Sequence, residues 1–252
     1  MDTVECVQNL YPALIAGDVG SVLPCFGMKA TIDTPSGGKQ LPPEWVSEER
    51  SWLSSHSAET KSVNTIITDT RVAHEIALIL QIDGKTLELP VLLVADIAED
   101  SLRDLRIYHS TWPLSGGHLV RGPLLEPDAN VKLAEPIASY EKALAVGDVD
   151  ALQSLFEDDG YVREPSGEAY KHVGEAREEF YGPLREAGGI PLKIATVTDD
   201  GYLTVIEYIC DQWGGTRLPA QAGAAVYERS GAGAIAGVRI YDDVMPPEGL
   251  FD

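Results

Sequence analysis

Apolar residues in the second half of the chain fall at Ile137, Tyr140 and Leu144 and resume at Val149, Leu152 and Phe156. These three- and four-residue steps predict an amphipathic helix broken at Gly147-Asp148 and resumed as a second one. Asp148 suits the cap of that second helix, because its carboxylate accepts from the free amides of the first turn. A short strand over Gly160 to Glu164 follows and stops at Pro165. A helix from about Glu175 to Glu186 comes next, then strands near Leu192 to Thr198, Thr204 to Trp213, Gln221 to Arg229 and Ala234 to Tyr241. In the first half, Val72 to Ile82, Thr86 to Ile97 and Leu102 to Tyr108 read as the corresponding strands. Helices followed by an antiparallel sheet predict the α+β class. A strongly curved sheet wrapped on helices encloses a conical pocket of the kind that takes a small ligand.

The correspondence between the halves is literal in places. Residues 13–19 read ALIAGDV and residues 143–149 read ALAVGDV, an offset of 130. The same offset pairs Phe26 with Phe156, and Pro35-Ser36-Gly37 with Pro165-Ser166-Gly167. Arg106-Ile107-Tyr108 pairs with Arg239-Ile240-Tyr241, and Pro113 with Pro246, at an offset of 133. A drift of three is one small loop insertion, so the pattern reads as a duplication. The stretch from Leu114 to Asp128 is rich in Gly and Pro and has neither period, which predicts the boundary there. The expected organisation is a domain over 1–116, a linker over 117–130 and a second domain over 131–252, each of ordinary size.

Charge narrows the partners. Forty acidic residues against nineteen basic ones give a formal net charge of −21. Such a surface repels a phosphate backbone, which argues against nucleic acid and anionic membranes and reads as a solvated face. Cys6, Cys25 and Cys210 are odd in number and far apart, matching no zinc spacing and no disulfide framework, so they are expected reduced and buried. The N-terminus has no basic segment followed by an apolar run, and no stretch approaches the roughly 18 apolar residues of a membrane span, so a cytoplasmic protein is expected. The five histidines form no i,i+4 pair, and neither a metal site nor a cofactor is expected. No G-x-S-x-G elbow occurs, and Gly231-Ala232-Gly233 belongs to a hairpin turn and not to a phosphate loop.

The segment YEKALAVGDVDALQSLFEDDGYVREPSG, Tyr140 to Gly167, resembles the opening of bacterial ketosteroid isomerases and their polyketide-cyclase relatives, within the NTF2-like and SnoaL-like group. The spacing holds as far as Glu179-Phe180-Tyr181. The resemblance implies two tandem cone-shaped domains, with the second carrying the chemistry. It puts Glu164 at the carboxylate that moves a proton, Tyr140 at the donor to the developing oxyanion, and Tyr181 at a second tyrosine supporting it. A carboxylate takes a proton beside a carbonyl, and a donor must hold the enolate oxygen that forms. The family's protonated aspartate falls at Ala225, which donates nothing. Asp242 lies two residues beyond Ile240 on the same strand face, as a second acid or a replacement polar group. His172 and Gln221 are placed near the mouth or wall. In the first half the corresponding positions are Thr34 for Glu164, Leu10 for Tyr140, Leu92 for Ala225 and His109 for Asp242. Asp33 falls on the opposite strand face, so the first domain is expected to be degenerate: structural, or a pocket with a purely apolar floor.

These residues predict a cofactor-free enzyme acting on a hydrophobic small molecule, by isomerisation or aldol-type cyclisation. Three alternatives stand beside it. Epoxide hydrolysis or cyclisation would use Glu164 with Asp242 or Asp211. A carrier or sensor would bind without turnover. A structural role would pack the halves as a pseudo-dimer, leaving a monomer, or else a homodimer, in solution.

Overall fold

A glycine-aspartate step ends one helix and starts the next in each half. In the computed structural model, which describes residues 2–171 and 179–244, α1 (Thr3–Gln8) and α2 (Leu10–Ala16) end at Gly17. Its φ of 77° is the left-handed conformation that favours glycine. Asp18 then caps α3 (Val19–Val22) by accepting from the Ser21 amide. A 3-10 turn over Leu23–Cys25 leads into β1 (Phe26–Thr34), β2 (Gly38–Gln40), α4 (Pro42–Ser55), β3 (Glu59–Ile67), β4 (Arg71–Ile82), β5 (Lys85–Ala98), β6 (Ser101–Tyr108) and one turn of helix, α5 (Trp112–Ser115). Asp83 and Gly84, both at positive φ, close the β4–β5 hairpin, the backbone that an Asp-Gly pair favours. These elements form one compact unit, Met1–Gly117.

The second unit, His118–Asp252, repeats the device. Helix α6 (Ile137–Val146) ends at Gly147 with φ 67°, and Asp148 caps α7 (Val149–Ser154) by accepting from the Ala151 amide at 3.0 Å. Then come β7 (Phe156–Arg163), β8 (Ala169–Lys171), α8 (Tyr181–Ala187), β9 (Leu192–Asp199), β10 (Leu203–Trp213), β11 (Thr216–Arg229) and β12 (Ile235–Tyr241). Residues 172–178, which include His172 and the start of the predicted helix, lie outside the described residues. The stretch after Gly117 has no regular element but is hydrogen-bonded to its own unit. The Leu119 amide donates to Asp243, the Ala222 amide to the Arg121 carbonyl, and the Asp128 amide to the Ile194 carbonyl.

Each unit holds one six-stranded sheet, ordered β2-β1-β6-β5-β4-β3 and β8-β7-β12-β11-β10-β9. The class is α+β in two tandem units, but the sheets are mixed where a wholly antiparallel sheet was expected. Strand β1 pairs with β6, and β7 with β12, in parallel. The cause is the route of the chain. Strands β3 to β6, and β9 to β12, alternate in direction, and the last of each four returns beside β1 or β7 running the same way. Ala195 of β9 is left unpaired opposite Glu207/Tyr208, and the β10–β11 register shifts between Cys210 and Gln212, so the ladder is disrupted at both places.

The first core joins Val72, Ile76, Leu78 and Leu80 of β4 and Val91 and Leu93 of β5 to Val7, Leu10, Leu14, Trp45 and Leu53 of the helices. The second joins Ile206, Tyr208 and Cys210 of β10 and Ala225 and Tyr227 of β11 to Ile137, Tyr140, Leu144 and Leu152. Tyrosines thus stand in the second core where the first is largely aliphatic.

The cysteine expectation is corrected. Cys6 and Cys25 form a disulfide with their Cα atoms 5.7 Å apart, while Cys210 is free and buried. A single bridge presents no spacing framework to read, and only the folding back of α1 on the 3-10 turn brings the two sulfurs together. Such bridges persist in oxidising compartments and are rare in the cytosol, which sets this one against the cytoplasmic expectation. Closing a span of 19 residues is worth about 3 kcal/mol through the unfolded chain. Reduction, or Cys6→Ser with Cys25→Ser, should therefore lower the unfolding free energy of the first unit by about that amount, read as a lower denaturant midpoint. An unchanged midpoint would show that the bridge is not formed in solution.

Candidate functional site

Helix α6 turns Ile137, Tyr140 and Leu144 inward. The fourth position of that stripe, Glu141, carries a carboxylate. Tyr140 is 2% exposed and Tyr181 0%, and their hydroxyls lie 2.9 Å apart. The Tyr140 ring meets Phe156 and Tyr227 edge-on, with centroids 6.1 and 5.3 Å away. Tyr227, on the inward face of β11, donates its hydroxyl to Glu141. Tyr208, on the inward face of β10, donates to Asp242 at 2.7 Å. Gly223 stands opposite Tyr208 on β11. A Cβ there would lie 2.4 Å from the Tyr208 ring and 2.9 Å from the Asp242 Cβ, so only glycine lets the ring cross the strand.

Electrostatics follow from this enclosure. Burial pushes Glu141 up from 4.5 to about 7, with the Tyr227 hydroxyl pulling the other way. Burial likewise pushes Asp242 from 3.8 to about 6, opposed by the Tyr208 hydroxyl, the Val244 amide and His118 and reinforced by Asp243. Tyr140, Tyr181, Tyr208 and Tyr227 are all raised, first by burial and in part by the charge on Glu141. The Cys210 thiol is pushed up to about 12 by burial and then by Asp242. Glu141 and Asp242 lie deep in the unit, yet each keeps part of its own surface accessible.

Glu164 follows β7 in register with Val162, half-buried in a turn. Its carboxylate accepts from the Ser166 hydroxyl at 2.6 Å. Tyr170, pushed up to about 12 by burial and by Glu164, packs its ring 6.2 Å from Phe180, whose ring lies 5.0 Å from Tyr181. Three rings therefore connect Glu164 to the tyrosine pair, with no direct hydrogen bond between them among the described residues. Gln221 is 3% exposed and opposite Cys210, and Ala225 is 2% exposed on the same face of β11. Asp211 is held by Lys193 at 2.5 Å and Arg217 at 3.7 Å.

The first unit's corresponding positions are apolar or locally satisfied. Leu10 and Leu92 are buried, and Thr34 serves its own turn by accepting from the Gly37 amide. Yet Tyr11 is hydrogen-bonded to Glu49, and His74, 1% exposed, pairs through Nδ1 with the Asn64 carbonyl. Charged and polar groups buried in a core need partners, and Tyr11, Glu49 and His74 have them. Among the described residues, no group of three or more His, Cys, Asp or Glu is placed to hold a metal ion, and no helix is long and apolar enough to cross a membrane.

Sequence reasoning missed Glu141, Tyr208 and Tyr227. The available signal was Glu141 itself, an acid at the i+4 position of a helix stripe whose other members are apolar or aromatic.

No family model matches the chain, and no curated protein matches it. Solved structures do. The chain is similar to TerC co-crystallised with polyporic acid, at 13% identity over 45% of this chain and 95% of that one, with a TM-score of 0.41. It is similar to a protein of ketosteroid isomerase-like fold from Catenulispora acidiphila, in complex with trimethylamine, at 14% identity over 42% of this chain and 85% of that one, with a TM-score of 0.37. An NTF2-like protein of unknown function from Cytophaga hutchinsonii is 13% identical over 45% of this chain and 95% of its own, with a TM-score of 0.35.

A carboxyl whose pKa is raised on folding stabilises the fold in its protonated form. The advantage is complete below the ordinary values of 4.5 and 3.8 and is lost as pH rises through about 6 to 7. The melting temperature of the wild type should fall more between pH 5 and pH 8 than that of Glu141→Gln with Asp242→Asn. Equal slopes would mean that both carboxyls are ionised throughout.

Proposed function

We propose that the second unit is a cofactor-free enzyme that moves a proton next to a carbonyl of a hydrophobic small molecule, as in isomerisation or aldol-type cyclisation. The observation that carries this reading is the Tyr140–Tyr181 hydroxyl pair, buried at 2.9 Å in a core that also holds two carboxyls near neutrality.

Glu164 acts as the base and takes the proton beside the carbonyl. As the C–H pair moves into the carbonyl, Tyr140 donates to the oxygen that gains charge, and Tyr181 donates in turn to Tyr140. Return of the proton from Glu164 to another carbon completes an isomerisation. Asp242 supports the charge balance from the Tyr208 side, with a pKa of about 6 that suits exchange near working pH. Gln221 and Ala225 line the ligand's path, and Ala225 leaves the oxyanion with one donor fewer than a second acid would give. A water-excluding interior strengthens each of these interactions.

A carrier without turnover is the second reading. The Glu164 carboxylate is already engaged by Ser166 at 2.6 Å, and that contact favours it.

One experiment separates the two. A thermal-shift panel of planar phenols, polyketide-like aromatics and steroids is run on wild type and Glu164→Gln. Phenols mimic an enolate, so the enzyme reading expects a wild-type shift that changes in the variant. It also expects turnover of any substrate found to fall by about 10²- to 10⁴-fold in Glu164→Gln, the usual worth of a positioned base. Identical shifts in both proteins would move the carrier ahead, and no shift in either would remove the enolate reading's main support.

A further inference from the structure

The first unit has its own enclosed polar cluster, made of residues with no part in the site above. Trp45 and Glu49 stand one turn apart on α4, on the same face of that helix. Tyr11 of α2 completes a triangle with them. Its ring meets Trp45 edge-on at 6.4 Å, and its hydroxyl bonds to Glu49. Val46, Leu14 and Leu53 are part of the same core.

Two features of the triangle are incomplete in themselves. Trp45 is 1% exposed, and its indole Nε1 has no hydrogen-bond partner among the described residues. A buried donor left unmet is costly, and native cores keep few. Glu49 lies deep in the unit, pushed up to about 7 chiefly by burial, and still keeps part of its surface accessible.

We infer that the first unit binds a small apolar ligand bearing an oxygen acceptor, a carbonyl or phenol oxygen, against Trp45, Glu49 and Tyr11. The indole N–H is a donor only. The Tyr11 hydroxyl is spent on Glu49, whose second oxygen carries a proton below neutrality and is then a further donor. Two donors in an apolar wall select an acceptor on the ligand, and the remaining contacts are aromatic and aliphatic. The site stands apart from the second unit's chemistry. At the 130-residue offset, Tyr11 occupies the place of Glu141, and Glu49 that of Glu179. Each unit thus builds a buried tyrosine–carboxyl pair from different positions.

The test is calorimetric titration of the full chain with 4-nitrophenol at pH 6, in a Tyr140→Phe/Tyr181→Phe background that removes the second unit's hydroxyl pair. Binding should persist in that background. Adding Trp45→Phe, or Glu49→Leu, should weaken it about fivefold or more, the worth of one hydrogen bond. Trp45→Phe also removes buried ring volume, so its fold is checked by circular dichroism before the titration. If that variant does not fold, the Glu49→Leu titration decides, weakened binding supporting the site and unchanged binding overturning it. No binding in the background protein overturns the inference. So does binding that neither substitution changes.

Discussion

A phenol hydroxyl taken into an apolar core must find a partner there, and in the second unit that requirement organises everything around it. Tyr140 finds Tyr181, Tyr227 finds Glu141, and Tyr208 finds Asp242. The carboxyls are themselves expensive to bury as anions. Each hydroxyl that satisfies a carboxyl also fixes where its ring lies, and the rings in turn set the spacing of α6 from the sheet. The two carboxyls near neutrality follow from a core built around tyrosine hydroxyls.

Much of this architecture could be read from particular residues. Gly147 and Asp148 announced a helix end and a helix start, and both occur where a left-handed residue and a capping carboxylate must be. Strand alternation placed Asp242 on the inward face, and the Tyr208 hydroxyl meets it there. The parallel pairings of β1 with β6 and β7 with β12 were not readable, because strand direction depends on the path of the whole chain and not on any local pattern. The Cys6–Cys25 bridge failed for a similar reason, since two cysteines 19 residues apart meet only once three short helices have folded back.

The site was legible in part. Tyr140 and Tyr181 were singled out, and their hydroxyls meet. Glu141 was overlooked because a charged residue beside an apolar stripe is normally taken as the edge of a solvated face, and only the inward tyrosine on β11 turns it to the interior. Glu164 carried the register but not the surroundings. Its nearest polar contact comes from Ser166, two residues along, and a turn of that kind is visible only when the strand's end is seen. The burial of Trp45 and the partner of Glu49 are similarly invisible in one dimension, since both depend on α2 lying across α4.

Gly223 adds a constraint of a different kind, on the order in which the protein can change. A side chain at 223 collides with the Tyr208 ring and with Asp242, so no replacement there is tolerated while both remain. Loss of the tyrosine must come first, and it leaves the Asp242 carboxyl with the Val244 amide in place of its phenol partner. The route away from this arrangement therefore passes through an intermediate whose buried carboxyl is less well satisfied, and a lineage that leaves it has little chance of returning.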